Sequence, residues 1–362
     1  MSELNNILDD CIECRKCVKE CGFLQRHCGS PKELAESFKA GKHRTNPAIP
    51  YSCNICSLCE ARCPEGLNAG RMCFEMRLQL AQEGLAPLKQ HKPIQEAQDW
   101  YVSDEFKLVL PAEDAAETKR VFFPGCSLSA YSPDLVLKTY HYISQRLPGT
   151  GILLGCCGAP ALLIGDQSRF SEIINAIDSD IKEIGASEII AACPYCYQAL
   201  KQNIPHLKTR SLYVVLSEIG LPEILNSQRH TFSIHDPCST RFESEIQNSI
   251  RKLIEASGHR IEELEHSRDS TNCCGLGGMA FALDPDSSHK KALITVGEAK
   301  SDLVTYCASC RGNLAGQGAQ VLHILDLIFN ENWPEIGLNP SAEPSAAQEN
   351  QRNLRQLLQA RS

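Results

Sequence analysis

Ten cysteines beyond residue 120 form two series in the same order, and this repetition constrains the fold more than any other feature. The first series is Cys126, then Cys156-Cys157-Gly158, then Cys193-Pro-Tyr-Cys196; the second is Cys238, then Cys273-Cys274-Gly275, then Cys307-Ala-Ser-Cys310. Subtracting positions gives offsets of 112, 117 and 114. A period near 114 with the members in order is an internal duplication, so the chain must build one unit twice. Short apolar segments run into these cysteines at Val121–Phe123, Gly151–Leu154, Glu188–Ala192, Thr231–His235 and Asp302–Tyr306. In this reading Asn272-Cys273-Cys274-Gly275 matches Gly151–Gly158, the strand that leads into the first adjacent pair. Helix-like apolar spacing fills Ser171–Gly185 and Phe242–Ser257. Strand–helix alternation predicts α/β layers with the cysteines at the carboxyl ends of strands, where such sheets place ligands.

The meaning of those cysteines depends on the compartment. The chain has 20 cysteines in 362 residues, with ordinary hydrophobic (43%) and charged (22%) content for a globular protein of two or three domains. The start, MSELNNILDDCIEC, has neither a basic nor an apolar leader region, and no run of about 18 apolar residues occurs. A cytoplasmic, reduced protein is therefore expected, in which clustered thiols mean metal or redox chemistry. Two adjacent unpaired thiols such as Cys273 and Cys274 would otherwise be an oxidation hazard. Five thiols per series is one more than a tetrahedral zinc or an ordinary cubane cluster uses. A net charge of −8 and a pI near 5.8 argue against nucleic-acid binding.

The N-terminal third carries a different pattern. Cys11-x2-Cys14-x2-Cys17-x3-Cys21 is followed by Cys53-x2-Cys56-x2-Cys59-x3-Cys63-Pro64. This resembles the spacing by which bacterial-type ferredoxins hold two [4Fe-4S] clusters, the fourth cysteine of each run binding the other cluster. By that rule one cluster takes Cys11, Cys14, Cys17 and Cys63, and the other takes Cys53, Cys56, Cys59 and Cys21. Zinc sites use two short pairs with a long gap, which does not match. Gly22 stands after Cys21 where proline is usual. Cys28 and Cys73 are spare. Helices are expected at Pro31–Ala40 and Arg71–Glu83. With them the segment resembles the helical two-cluster domain of succinate dehydrogenase iron–sulfur subunits and of the C-type subunit of heterodisulfide reductase.

The duplicated series is similar to the CCG domain pair of the B- and D-type subunits of heterodisulfide reductase. The pair also occurs in the iron–sulfur subunits of glycolate oxidase and anaerobic glycerol-3-phosphate dehydrogenase. The order of domains, two-cluster ferredoxin then CCG pair, is that of the D-type heterodisulfide reductase subunit, which fuses the C and B types. This resemblance implies an α+β chain with a helical ferredoxin-like domain (1–84), a connecting segment (85–119), a first CCG domain (120–228), a second (229–335) and a mobile tail (336–362) with a helical pattern at Asn353–Ala360. It also implies that Cys126, Cys156, Cys157, Cys193 and Cys196, and again Cys238, Cys273, Cys274, Cys307 and Cys310, hold one or two noncubane [4Fe-4S] clusters. Gly158, Gly275, Gly277 and Gly278 would let backbone N–H groups and substrate approach closely.

The function implied is an iron–sulfur oxidoreductase that passes electrons from two cubane clusters to the CCG sites for disulfide or thiol redox chemistry. Cys238, Cys273 and Cys274 would then be catalytic, with His235 as a proton donor to the leaving thiolate or merely a histidine fixed at a strand end. Arg241 and Arg311 balance cluster charge, bind an anionic substrate or lie solvated on the surface. The alternative is an electron-transfer subunit beside an FAD-dependent 2-hydroxy acid or glycerol-3-phosphate dehydrogenase. No G-x-G-x-x-G fingerprint occurs, so no flavin is expected in this chain. A flavoprotein or other redox subunit is the expected partner, with a membrane cytochrome as a second; through it the protein would lie peripheral to the inner face of the membrane.

Overall fold

The computed structural model describes residues 2–113, 115–223, 229–335 and 344–360. The N-terminal domain is helical, with helices at Glu3–Asp10, Lys16–Glu20, Gly22–His27, Pro31–Lys39, Leu58–Arg62 and Ala69–Gln82. Local chemistry sets the two longest. The Ser30 hydroxyl accepts from the Glu33 N–H with Pro31 in the first turn, and the Asn68 side chain accepts from the Arg71 N–H. Ile7, Leu24, Phe38, Met72, Met76 and Leu80 pack inward together with Cys53 and Cys59. The cysteine loops are thus laid on a preformed apolar core.

The segment read as a connection is more than that. It holds a helix at Lys92–Tyr101 and strand β1 (Leu108–Leu110), which adds antiparallel to the first sheet. That sheet continues with β2 (Arg120–Phe123), β3 (Thr150–Leu154), β4 (Glu188–Ala191) and β5 (Lys208–Ser211), in the order β1-β3-β2-β4-β5. The second sheet has β6 (Thr231–His235), β7 (Arg260–Glu263), β8 (Leu303–Thr305) and β9 (Val321–His323), in the order β7-β6-β8-β9. All pairings except β1–β3 are parallel. Leaving β1 aside, both sheets run second-first-third-fourth, so the duplication is one of topology as well as of cysteines. In such a sheet the crevice lies where the first and third strands part, at their carboxyl ends. Cys126 and Cys193 follow β2 and β4 there; Cys238 and Cys307 follow β6 and β8.

The copies differ at the adjacent pair. In the first, only Gly155 separates β3 from Cys156. In the second, β7 ends at Glu263 and residues 264–272, with a short 3-10 turn at Arg268–Ser270, precede Cys273. The strand expected to lead straight into the second pair therefore lies further upstream, and this loop accounts for the longer offset.

Phe122, Leu128, Tyr213, Phe232, Ile254, Tyr306, Leu325 and Ile328 belong to one continuous core shared by both copies. The tail, expected to be mobile, contains a helix at Pro344–Gln359 that packs on the helices Cys126–Tyr131 and Pro133–Arg146 of the first copy. Leu354 and Leu358 are buried in that contact, Asn350 donates to the Ala130 carbonyl, and Gln351 donates to the Cys126 carbonyl at 2.9 Å. The expected stretch Asn353–Ala360 is its second half, and its place is on this chain itself. The rest of that expectation, 336–343 and 361–362, lies outside the described residues. No helix among the described residues is long and apolar enough to cross a membrane.

Candidate metal centres

Two loops of the helical domain share a backbone trace at an offset of 42: Cys11, Cys14, Cys17 and Cys21 against Cys53, Cys56, Cys59 and Cys63. In each loop the second and fourth residues after the first cysteine take positive φ, at Glu13 (52°) and Arg15 (61°) and at Ile55 (49°) and Ser57 (56°). Non-glycine residues rarely adopt this conformation, and it collects at functional sites. Cys63 of the opposite run lies beside Cys17, and Cys21 lies beside Cys53 and Cys56. Burial, then the neighbours Cys63, Cys11 and Cys14, push the Cys17 thiol up to about 11. Burial and then Cys53 do the same for Cys21. Cys73, read as spare, is fully buried with its thiol on Cys53, while Cys28 donates to the Leu24 carbonyl. Cys14 is exposed and Ile12 beside it is 63% exposed, so the first group of four lies at the surface.

The ten remaining thiols form one chain of contacts. It runs Cys126–Cys156–Cys157–Cys196–Cys193 in the first copy, crosses from Cys193 to Cys307, and returns Cys307–Cys310–Cys274–Cys273–Cys238 in the second. The order of the second half mirrors the first. Cys157, Cys196, Cys238, Cys274 and Cys310 are pushed well above the usual thiol range, first by an adjoining cysteine and then by burial. Buried, crowded thiols cannot all ionise unless a cationic centre compensates them, and thiolates are the ligands that iron–sulfur clusters use. The donor set therefore fits the clusters that its spacing implies. The Gly158 and Gly275 N–H groups each lie 3.4 Å from the sulfur two residues back, on Cys156 and Cys273.

Both copies open on one cavity of about 340 Å³. Nine of the ten cysteines line it, Cys273 being the one left out, with Ile94, Tyr101, Pro160, Met279 and Phe281 among the apolar residues and Ser127, Ser239 and Ser309 among the polar ones. Gly277 reaches the cavity, whereas Gly278 does not. A Cβ on either would come within 2.6 Å of a backbone oxygen, of Asn54 or of Cys53 respectively, so these glycines admit the ferredoxin-type loop. His235 is fully buried at the end of β6 and does not line the cavity, and burial lowers its pKa to about 4.

Several residues that no motif announced join the centres. Lys291 donates to the Asn54 side chain, and Asn54 donates to the carbonyls of Gly275 (2.8 Å) and Gly277 (3.1 Å). Burial disfavours the Lys291 ammonium, but Cys56, Cys273, Cys21 and Cys53 outweigh it and raise its pKa. Arg77, fully buried, donates to the carbonyls of Pro50, Cys53, Leu163 and Gly278, which lie in the helical domain and in each copy of the duplication. Arg241 and Arg311 are buried, which overturns the solvated alternative. Arg241 donates to the carbonyls of Cys56 (2.8 Å) and Thr271 (2.7 Å), and Arg311 donates to that of Val321 and lies over the Tyr131 ring. Arg251 grips Asp236, whose carboxylate also accepts from the Arg268 N–H and the Tyr306 hydroxyl. Only sequence separation hid these contacts, since Arg77 and Gly278 are 201 residues apart.

Known proteins carry the same parts. The 4Fe-4S dicluster domain family matches residues 10–68, and the cysteine-rich domain family matches 120–201 and again 232–315. The D-type subunit of dihydromethanophenazine:CoB–CoM heterodisulfide reductase from Methanosarcina barkeri is 24% identical over 370 residues, spanning 85% of this chain and 88% of that protein. Its counterpart in Methanosarcina mazei is 23% identical over the same extent. EtfAB:quinone oxidoreductase of Syntrophomonas wolfei is 23% identical over 197 residues, covering 50% of this chain and 27% of that protein. The matched domains and these relatives agree with the thiol geometry: the chain belongs to an iron–sulfur oxidoreductase family, with a 4Fe-4S dicluster domain and two cysteine-rich domains, and is homologous to the D-type heterodisulfide reductase subunit and, over half of its length, to EtfAB:quinone oxidoreductase.

Proposed function

We propose that this chain carries electrons from two cubane [4Fe-4S] clusters to two five-cysteine noncubane sites, and that the cavity between those sites receives a disulfide or the thiol pair derived from it. The observation that carries this reading is the shared cavity of about 340 Å³ with cysteines of both copies in its wall. The clusters, when bound, would fill the part of that space between the thiols; what favours a substrate beside them is the lining beyond the thiols, apolar at Ile94, Tyr101, Met279 and Phe281 and hydroxylic at Ser127 and Ser239. Cleaving RS–SR′ takes two electrons and two protons and yields RSH and R′SH. The clusters, when bound, supply the electrons one at a time. Cys11, Cys14, Cys17 and Cys63 would hold the outer cubane cluster and Cys53, Cys56, Cys59 and Cys21 the inner one. Cys126, Cys156, Cys157, Cys193 and Cys196 would hold the first noncubane site; Cys238, Cys273, Cys274, Cys307 and Cys310 the second.

The residues order these centres. Exposed Ile12 and Cys14 place the outer group where a redox partner can dock. Asn54, Lys291 and Arg241 bind the inner group's loop to the loop of Cys273 and Cys274, so the second site is the nearer acceptor. The partner is a redox subunit, as the relatives named as a reductase subunit and a quinone oxidoreductase suggest. His235 does not line the cavity itself, so it would meet the thiols there only from the side of Cys274 and Cys310.

Anaerobically purified protein, reduced chemically and offered a disulfide, should release thiol and develop a substrate-dependent paramagnetic signal. Cys273→Ser should lose the second-site signal and thiol release while keeping both cubane clusters. Unchanged iron and sulfide in that variant would refute the ligation. Zinc without acid-labile sulfide would remove the scheme entirely.

A further inference from the structure

A histidine stands beside the second five-cysteine site where the first copy has a phenylalanine. His235 ends the first strand of the second sheet, three residues before Cys238; the offset of 112 that relates Cys238 to Cys126 puts Phe123 at the same place in the first copy. Both are fully buried. Neither ring nitrogen of His235 has a hydrogen-bond partner in the protein. One lies with the sulfurs of Cys274 and Cys310 in a group whose atoms are all within 4.8 Å of one another. A buried, orphaned donor and acceptor is costly unless something bound satisfies it. The ring does not itself line the cavity, whereas Cys274 and Cys310 beside it do. A neutral imidazole carries a proton on one nitrogen and an imidazolium on both, so the ring can donate in either state.

We propose that His235 donates an N–H hydrogen bond to the sulfur shell of the cluster held by Cys274 and Cys310, with no equivalent at Phe123, and so makes the two five-cysteine sites electronically unequal. This rests on the ligation proposed above. Hydrogen bonds to cluster sulfurs help set the reduction potential, and they favour the more negative, reduced form. The second site, nearest the inner cubane group, is then the more easily reduced of the two. The first, with Phe123 packed near Cys157 and Cys196 in an apolar core, has no such aid.

The test uses the full-length protein with its clusters, in potentiometric titrations followed by electron paramagnetic resonance. Replacing the histidine by the first copy's residue, His235→Phe, should make the second site harder to reduce by about tenfold in its equilibrium constant, about 59 mV for one electron. The other three signals should stay in place. His235→Gln, which keeps an N–H donor, should recover part of the shift. Histidine labelled with 15N should give the wild-type second-site signal a weak nitrogen coupling, absent from His235→Phe. A strong coupling typical of a nitrogen bonded to iron would overturn the hydrogen bond in favour of ligation. An unmoved potential at full iron content, or no nitrogen coupling in the wild type, would overturn the proposal. Wild-type protein with no second-site signal would overturn the ligation reading itself, and this inference with it.

Discussion

Asp236 holds together the two loops that carry the second site, and Arg251 keeps Asp236 charged. The Arg251 guanidinium meets the Asp236 carboxylate at 2.7 and 2.8 Å, both side chains being buried, and reaches Glu263 at 2.8 and 2.7 Å at the surface. Burial alone would raise the Asp236 pKa; hydrogen bonds from Arg251, the Arg268 N–H and the Tyr306 hydroxyl hold it below the usual value. Thr271, two residues before Cys273, donates its hydroxyl to the Asp236 carbonyl at 2.8 Å. Arg251→Met keeps most of the stem and removes the charge. The Glu263 arm, partly exposed, is worth about 0–1 kcal/mol. Stranding a buried carboxylate costs far more, about 3–5 kcal/mol, or about two to three and a half decades in the opening equilibrium of these loops. The variant should therefore release second-site iron to a chelator much faster than wild type, before the other clusters, in anaerobic absorbance traces. The double variant Asp236→Asn with Arg251→Met has no stranded charge and should hold iron better than Arg251→Met alone. If it loses iron as fast or faster, the buried-charge argument is wrong.

Two further expectations follow from charges near the centres. Lys291→Met should lower the reduction potential of the inner cubane group by on the order of 100 mV, the effect of one unit charge at a partly buried site, while Lys291→Arg should move it little; equal potentials in wild type and the methionine variant would refute a direct electrostatic role. Burial raises the Asp326 carboxyl from 3.8 to about 6, against donors on Tyr131 and His323. A raised carboxyl stabilises the fold below its unfolded pKa and loses that contribution as pH rises through the folded value. Asp326→Asn should therefore gain thermal stability over wild type as pH rises from about 4 through about 6 and level off above, and a gap that stays constant across that window would count against the buried acid.

The cysteines were legible because ligation demands fixed spacing, and both the two runs of four and the duplication are there to be counted. The edge strands were not. β7 is Arg-Ile-Glu-Glu and β5 is Lys-Thr-Arg-Ser, without the apolar run that marks the buried inner strands. The run Val321–Phe329 is a three-residue strand followed by a helix, a division that periodicity cannot see because both halves are buried. The tail helix is polar on average and reveals its buried face only where Leu354 and Leu358 meet the first copy. Arg241 and Arg311 stood visibly beside cysteines, but their carbonyl partners are fixed by tertiary packing.

Arg77 reaches its four carbonyl oxygens from a single side chain, and main-chain oxygens are present whatever residues surround them. A joint of this kind is indifferent to substitution on the faces it binds and sensitive to their length. The surroundings of Pro50, Leu163 and Gly278 can drift freely in sequence. A single inserted residue in any of those loops would slide an acceptor out of reach and separate parts that substitution leaves joined.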